Sequence, residues 1–429
     1  MFLLLFISPL ILRAELFTTG ATMRVGGAER RAFSVIWNMP TARCHRRYGV
    51  SLPLSEYDIT HNHHTHFLGT DISLFYQQRL GLYPRLMRSG SEVNGGIPQL
   101  GHLNAHLLLA EAQLEAVLRR HFAGLAVLDW EAWHPLWGRN FGARAAYQRQ
   151  SEQLVRWEHP ELGMKEVTSR AKAEFERAGR GFMLQTLRLG RLLRPRGLWG
   201  FYGFPECSNE RGAGHSGYTG RCLAGTRRRS RQLAWLWRES HALYPSVYIP
   251  QRLAGHAHSQ LMVRYRILEA LRVASQHAPG PAVLPYARIA FRRTLHFLNQ
   301  TDLQYTLGEA AALGADGVVL WGELEFTRSK HQCALLQHYI KSVLGVYVLM
   351  LRRGVRRCSE LVCRGNGRCA RRRPHSGHMI PLSQKDLNPA HLRTAFRQVL
   401  PTRMRRRRSV MKKLTATRGH SNLLPTGTF

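Results

Sequence analysis

A parallel α/β barrel is the fold this sequence predicts, and three observations carry it. Strand-like apolar runs alternate with helical patterns over about 300 residues, as in a parallel sheet whose crossovers are helices. Acidic and aromatic residues gather at the carboxyl ends of those runs, where a barrel builds its active site. A hydrophobic content of 44% with nine tryptophans provides for a substantial core and excludes a disordered chain. The strand-like stretches are Phe33 to Asn38, Asp71 to Tyr76, Gly124 to Glu131, Leu198 to Phe204, Ser246 to Pro250, Val283 to Ile289 and Gly317 to Trp321. Helical spacing of apolar residues runs through Leu103 to Arg120, Val167 to Leu193, Gln232 to Leu243, Leu261 to Ser275 and Leu303 to Leu313.

The third of these strands ends most informatively, in Asp129-Trp-Glu131. A strand's side chains alternate, so Asp129 and Glu131 share one face while Trp130 points the other way. Two carboxyls that close cannot both ionise freely, and one is expected to hold a proton and serve as a general acid. The plainer reading is a solvated strand end. Aromatic residues on both sides of the pair favour a carbohydrate site.

The segment Met1 to Leu12 is too short to span a bilayer and has the apolar character of a secretory leader, so 1–15 is expected to be a signal peptide; the alternative is an N-terminal core strand, against which Pro9 interrupts the run. No later stretch reaches spanning length free of charges, so no transmembrane span is expected and the processed chain should be soluble. Seven cysteines form an odd set, and their spacing assigns no pairs. A zinc site at Cys358, Cys363 and Cys369 lacks a fourth ligand at the usual spacing. The run His61 to His66 reads as a titrating loop rather than a metal site. A formal net charge of +35 calls for a polyanionic partner, but the arginines are spread along the chain and belong to no nucleic-acid module. Asn299-Gln-Thr301 is a glycosylation sequon and fits a secretory route.

Five blocks in order, Phe33 to Pro40, Gly124 to Asn140, Leu198 to Cys207, Ala242 to Pro250 and Gly314 to Gly322, resemble the vertebrate hyaluronidase family, with Phe33 to Leu54 most similar to its type 3 branch. The resemblance runs from about Phe33 to Phe396 and implies a distorted TIM-like (β/α) barrel. It implies Glu131 as general acid and Asp129 as its proton-sharing partner. Tyr202 and Tyr248 then hold and polarise the substrate's acetamido group, and Trp321 closes the pocket. Tyr76, Tyr286 and Arg266 match groove positions, with the planar fork of Arg266 suited to a uronate. The implied disulfides are Cys44 with Cys333, Cys207 with Cys222 and Cys358 with Cys369, leaving Cys363 unpaired. Departures from the family pattern are Ser208 where a groove tyrosine is usual, the basic run Arg227 to Arg231, and Glu323 in place of an aspartate.

The chain therefore divides into a leader at 1–15, a catalytic barrel at 16–344, a truncated module of epidermal-growth-factor type at 345–397 and a basic, disordered tail at 398–429. The expected activity is endo-hydrolysis of the β-1,4 bond between N-acetylglucosamine and glucuronate in hyaluronan, or in chondroitin, with retention and assistance from the substrate's own acetamido group. It needs no cofactor and no metal. The expected partner is the glycosaminoglycan, the expected state a monomer, with a disulfide-linked dimer through Cys363 as a second form. The expected location is the secretory pathway, lysosomal or extracellular. The alternative is a glycosaminoglycan-binding protein of the same fold with weak catalysis.

Overall fold

The structure, a computed structural model, describes residues 33–278, 280–380 and 388–399. The expected leader and residues 400–429 of the expected tail lie outside these, as do 381–387. The chain is mixed α/β. The strands that build the barrel are β1 (Ser34–Trp37), β2 (Thr60–His61), β3 (Ile72–Tyr76), β4 (Leu125–Asp129), β5 (Leu198–Phe201), β6 (Ala242–Leu243), β7 (Ala282–Val283), β8 (Tyr286–Arg288) and β9 (Gly317–Trp321). All the pairings among them are parallel: β3 with β4, β4 with β5, β6 with β7, β8 with β9, β9 with β1, and β1 with the short β2. Bridges from Tyr202 to Tyr244 and from Ser246 to Tyr286 link these pieces into one curved, open barrel. β7 and β8 form one stave interrupted at Pro285, which has no N–H to donate.

Alternation along the strands sorts their residues between two cores. Ile36, Ile72, Leu74, Leu125, Val127, Tyr244, Leu284 and Val319 fill the interior, topped by Tyr76, Tyr202, Tyr248, Tyr286 and Trp321. Val35, Phe75, Ala126, Leu128, Trp199 and Leu320 face outward into a larger core shared with the helices. The Met164–Leu193 helix supplies Val167, Ala171, Phe175 and Phe182 to that core at four- and seven-residue steps, and Glu166 accepts from the Gly163 N–H at its start. Close approach is built in at Gly200, where a Cβ would lie 2.1 Å from the Ala242 carbonyl oxygen. The gap between β1 and β3 is crossed by the buried Asn62. Its side chain donates to the carbonyls of His66 and Ile72 and accepts from the N–H groups of Asp71 and Ile72.

Three sequence expectations need correction. The helical pattern read through Gln232 to Leu243 divides into Thr226–Gln232 and Ala234–Glu239, and the fifth stave begins before Ser246. The His241 N–H already donates to the Trp199 carbonyl, so the chain joins β5 there; the buried Ala242 and Leu243 extend an apolar pattern that helix and strand share. Residues 330–363 form one continuous helical run, with a π-helical segment at Ile340–Leu344, so the boundary expected at 344 falls within helix. One 18-residue stretch of Lys330–Cys363 reaches a mean hydropathy of 1.4, long and apolar enough to cross a membrane, and 44% of it is buried within the fold. Cys363 is buried, its thiol is pushed up to about 11 by burial, and it donates to the Arg368 carbonyl oxygen. An exposed thiol ready to join two chains is not what the structure shows.

Disulfides join Cys44 to Cys333, Cys207 to Cys222 and Cys358 to Cys369. Beyond the long helix, Arg368–Arg371 pairs antiparallel with Phe396–Val399. Arg371 is anchored against the barrel helices by the fully buried Glu309.

Candidate active site

The inward rows of the staves end in one cluster at the carboxyl face. β3 and β4 pair in register with Tyr76 opposite Asp129, and the next inward position on β5 is Tyr202, whose N–H donates to the Leu128 carbonyl. On the other side Tyr286 stands opposite Val319, and Arg288 opposite Trp321. Tyr202 contacts Tyr286 edge-on with ring centres 5.0 Å apart, and lies 6.2 Å from Tyr248. Tyr248 and Trp321 stack with centres 6.2 Å apart at 20°. The Trp321 indole N–H donates to the Tyr76 hydroxyl at 3.4 Å, and Asn38 donates to the Tyr286 hydroxyl at 2.8 Å. Thus Asp129, Tyr76, Tyr202, Tyr248, Tyr286 and Trp321 converge on one mouth.

Glu131 stands just beyond the end of β4, where the loop that carries it is pinned. The Trp133 indole donates to the Pro84 carbonyl at 2.8 Å, Asn140 accepts from the His134 N–H at 2.8 Å, and Asn140 donates back to the His134 carbonyl at 2.8 Å. His134 Nδ1 accepts from the Leu136 N–H, and burial pushes this imidazole down to about 4, so it is a neutral structural group near pH 7. Trp130 points outward, with its ring centre 4.7 Å from that of Tyr83.

Electrostatics at the mouth favour bound protons. Burial and then the neighbouring Glu131 charge hold the Asp129 carboxyl well above its ordinary range, and Asp129 Oδ1 has no protein hydrogen-bond partner among the described residues. Glu131 is open to solvent at the mouth, yet the protein around its carboxyl raises its pKa by desolvation; the Arg144 charge opposes that rise. Desolvation pushes the Tyr76 hydroxyl up to about 12 and those of Tyr202, Tyr248 and Tyr286 above their ordinary value. The tyrosines are therefore neutral donors beside two carboxyls whose pKa values are both raised, an arrangement suited to protonating a leaving oxygen while hydrogen-bonding a neutral polar substrate. A cavity of about 910 Å³ lies at the opposite, amino-terminal ends of the strands, lined by Ser34, Asp71, Gly124, Leu198 and Ala282, remote from this chemistry.

A family model described as hyaluronidase, glycoside hydrolase family 56, matches residues 24–417. The chain belongs to the hyaluronidase family. It is 48% identical over 344 residues to hyaluronidase-3 of Sus scrofa, covering 80% of this chain and 82% of that one. It is 43% identical over 362 residues to hyaluronidase-1 of Homo sapiens, covering 84% and 82%. The fold is similar to the crystal structure of bee venom hyaluronidase in complex with a hyaluronic acid tetramer, with a TM-score of 0.69 and 33% identity over 74% of this chain and 98% of that one.

Arg266 is bonded to the segment that carries Tyr248 in this hyaluronidase-family chain. Its Nε donates to Asn209 Oδ1 at 2.9 Å, and Nη1 donates to the carbonyls of Ser246 and Tyr248 at 3.2 and 3.5 Å. Ser208 accepts from Arg139, which also pairs with Glu206. Arg229, within the helix formed by the basic run, is held by Thr226 and has its pKa lowered by desolvation and then by the Arg139 charge. Sequence reasoning missed Asn38, Arg144, Asn209 and Arg288. Only the inward period of two could have singled out Asn38 and Arg288, which follow Ile36 and Tyr286 on their staves.

Proposed function

We propose that this protein is an endo-acting glycosidase that hydrolyses the β-1,4 bond between N-acetylglucosamine and glucuronate in hyaluronan, and in chondroitin where the groove admits it. Membership of the hyaluronidase family makes it a glycosidase. The observation that supports the finer reading is the proton-retaining Asp129 and Glu131 pair facing the Tyr202, Tyr248 and Trp321 pocket. Glu131 donates its proton to the leaving oxygen as the glycosidic bond breaks. The substrate's acetamido carbonyl oxygen bonds to the anomeric carbon in the same step, held by the Tyr202 and Tyr248 hydroxyls, while Asp129 shares a proton with Glu131 and orients it. Water then opens the cyclic intermediate and returns a proton to Glu131, so configuration is retained without a bond to the enzyme. Tyr76, Tyr286 and Arg266 line the groove, and no cofactor or metal enters this scheme.

The same reading makes the barrel, together with the continuous 330–363 helical run that crosses the expected boundary at 344, the catalytic unit, and leaves a shortened module of epidermal-growth-factor type after that helix and a basic tail at 398–429. Three disulfides and the exposed Asn299 sequon support a secretory route with glycosylation, ending in lysosome or extracellular space as a monomer. Incubating the purified protein with hyaluronan over about pH 3.5 to 7, the range in which a shifted carboxyl titrates, should shorten the polymer to even-numbered oligosaccharides. Folded protein that leaves hyaluronan intact throughout overturns this function. The basic Thr226–Gln232 helix and the Ser208 contact support a second reading, glycosaminoglycan binding with weak catalysis. Binding without oligosaccharide release is its outcome, and an affinity that collapses in salt with no preference over DNA or heparin reduces it to bulk charge.

A further inference from the structure

Arg288 ends β8 on the inward row that includes Tyr286, since residues two apart on a strand share a face. Only 4% of its side chain is exposed. Its guanidinium carbon lies 5.3 Å from the ring centre of Trp321 and 5.7 Å from that of Tyr248, so one cation touches both stacked rings. A guanidinium so buried requires a counter-charge, and Glu323 supplies it at Nη2. Its Nε has no hydrogen-bond partner among the described residues. A side chain selected for packing alone would not carry a buried charge with an unmet donor.

We propose that Arg288, held by Glu323, is a positioning residue: by lying across both rings it fixes the Trp321 and Tyr248 wall and sets how tightly that wall grips the substrate's acetamido group. This rests on the hyaluronan reading above. The guanidinium is essential to it, because a compact, strongly hydrated ammonium can pair with Glu323 but does not spread its charge over two rings as a delocalised guanidinium does.

The test measures binding of short hyaluronan oligosaccharides, N-acetylated and N-deacetylated, in a Glu131→Gln parent that does not turn over. Arg288→Met should weaken binding of the acetylated ligand about tenfold, as expected for loss of a desolvated cation–π contact, and leave the deacetylated ligand nearly unaffected. Arg288→Lys should recover only part of the loss. Adding Glu323→Gln to Arg288→Met should not restore binding, which separates ring positioning from simple neutralisation of Glu323. Binding by Arg288→Met within about twofold of the parent, equal losses for both ligands, or full rescue by Glu323→Gln overturns the proposal. Should Arg288→Met fail to fold, an Arg288→Lys variant with no loss for the acetylated ligand also overturns it. A parent that binds neither oligosaccharide defeats the hyaluronan reading and this inference together; a parent that binds while the variants behave alike defeats this inference alone.

Discussion

Asp129 and Glu309 are both carboxylates drawn into the protein, and their surroundings treat them in opposite ways. Glu309 is fully buried and accepts from Arg264, from both terminal nitrogens of Arg371 and from Gln260. Its pKa falls below the ordinary range because these arginine contacts outweigh the desolvation that would raise it. Among the described residues Asp129 has no cation against it and an oxygen without a partner; it does have a carboxylate neighbour, and burial and that neighbour raise its pKa. Full compensation makes a lock, here between the barrel helices and the Arg368–Arg371 strand. Withheld compensation leaves a group that keeps a proton and can deliver it or share it.

The largest expected effect tests the reactive side. Glu131→Gln should lower turnover of hyaluronan by roughly two to four orders of magnitude, the usual contribution of general-acid catalysis. The folded state should persist, because Glu131 is solvent-exposed at the mouth. A variant with near-normal turnover would mean that another group protonates the leaving oxygen.

Glu309→Gln tests the lock. It leaves Arg264 and Arg371 buried without a counter-charge, a change that costs about 3 to 5 kcal/mol in comparable buried pairs. Denaturant titration should show that loss, while turnover per folded molecule stays at the wild-type level. Stability unchanged by the substitution would remove the contrast with Asp129.

Opposite pKa shifts also require opposite pH slopes. The folded-state pKa of Glu309 is depressed, so its stabilisation is present above the unfolded carboxyl value of about 4 and is lost as pH falls from there through the folded value. Asp129 is raised, so the native state binds more protons than the unfolded chain. Stability from this site therefore declines as pH rises from about 4 through its folded value. Glu309→Gln should flatten the acid-side loss and Asp129→Asn the decline on raising pH, both read from melting midpoints against pH. Parallel curves for the two variants would show that the two sites do not differ as described.

Sequence reasoning captured what local period and composition determine. Asp129 and Glu131 were legible as a neighbouring acid pair at a strand end, although the strand stops at Asp129 and a pinned loop carries Glu131, and the disulfide and tyrosine assignments came through family resemblance. Arg288 was not legible: its importance depends on the register that sets it opposite Trp321 and on a carboxylate 35 residues later in the chain. Asn62 was read within a histidine-rich loop, and its role in spanning the gap between β1 and β3 appears only when Ile72 is brought beside it. The Ala145–Glu158 helix was not recognised, since it buries little beyond Tyr147, Ser151 and Val155 and is otherwise polar. The Glu309 lock was equally hidden, because Arg264, Glu309 and Arg371 come from distant segments.

The smallest effect sharpens the comparison within the reactive pair. Arg144 is half-buried, donates from Nη2 to the Glu131 carbonyl oxygen at 2.8 Å, and its charge holds the Glu131 pKa down against desolvation. Arg144→Gln keeps a side chain able to donate that hydrogen bond but removes the charge, so the Glu131 pKa should rise. A general acid works while protonated, and the high-pH limb of the turnover profile should therefore move to higher pH, with the low-pH plateau little changed. Arg144→Lys should keep the wild-type limb. Added salt should push the wild-type limb the same way by screening this partly exposed charge, while the Gln variant responds much less. A limb that stays in place or moves to lower pH in Arg144→Gln would show that Arg144 does not tune the acid, and that Glu131, like Asp129, lacks an effective cationic partner.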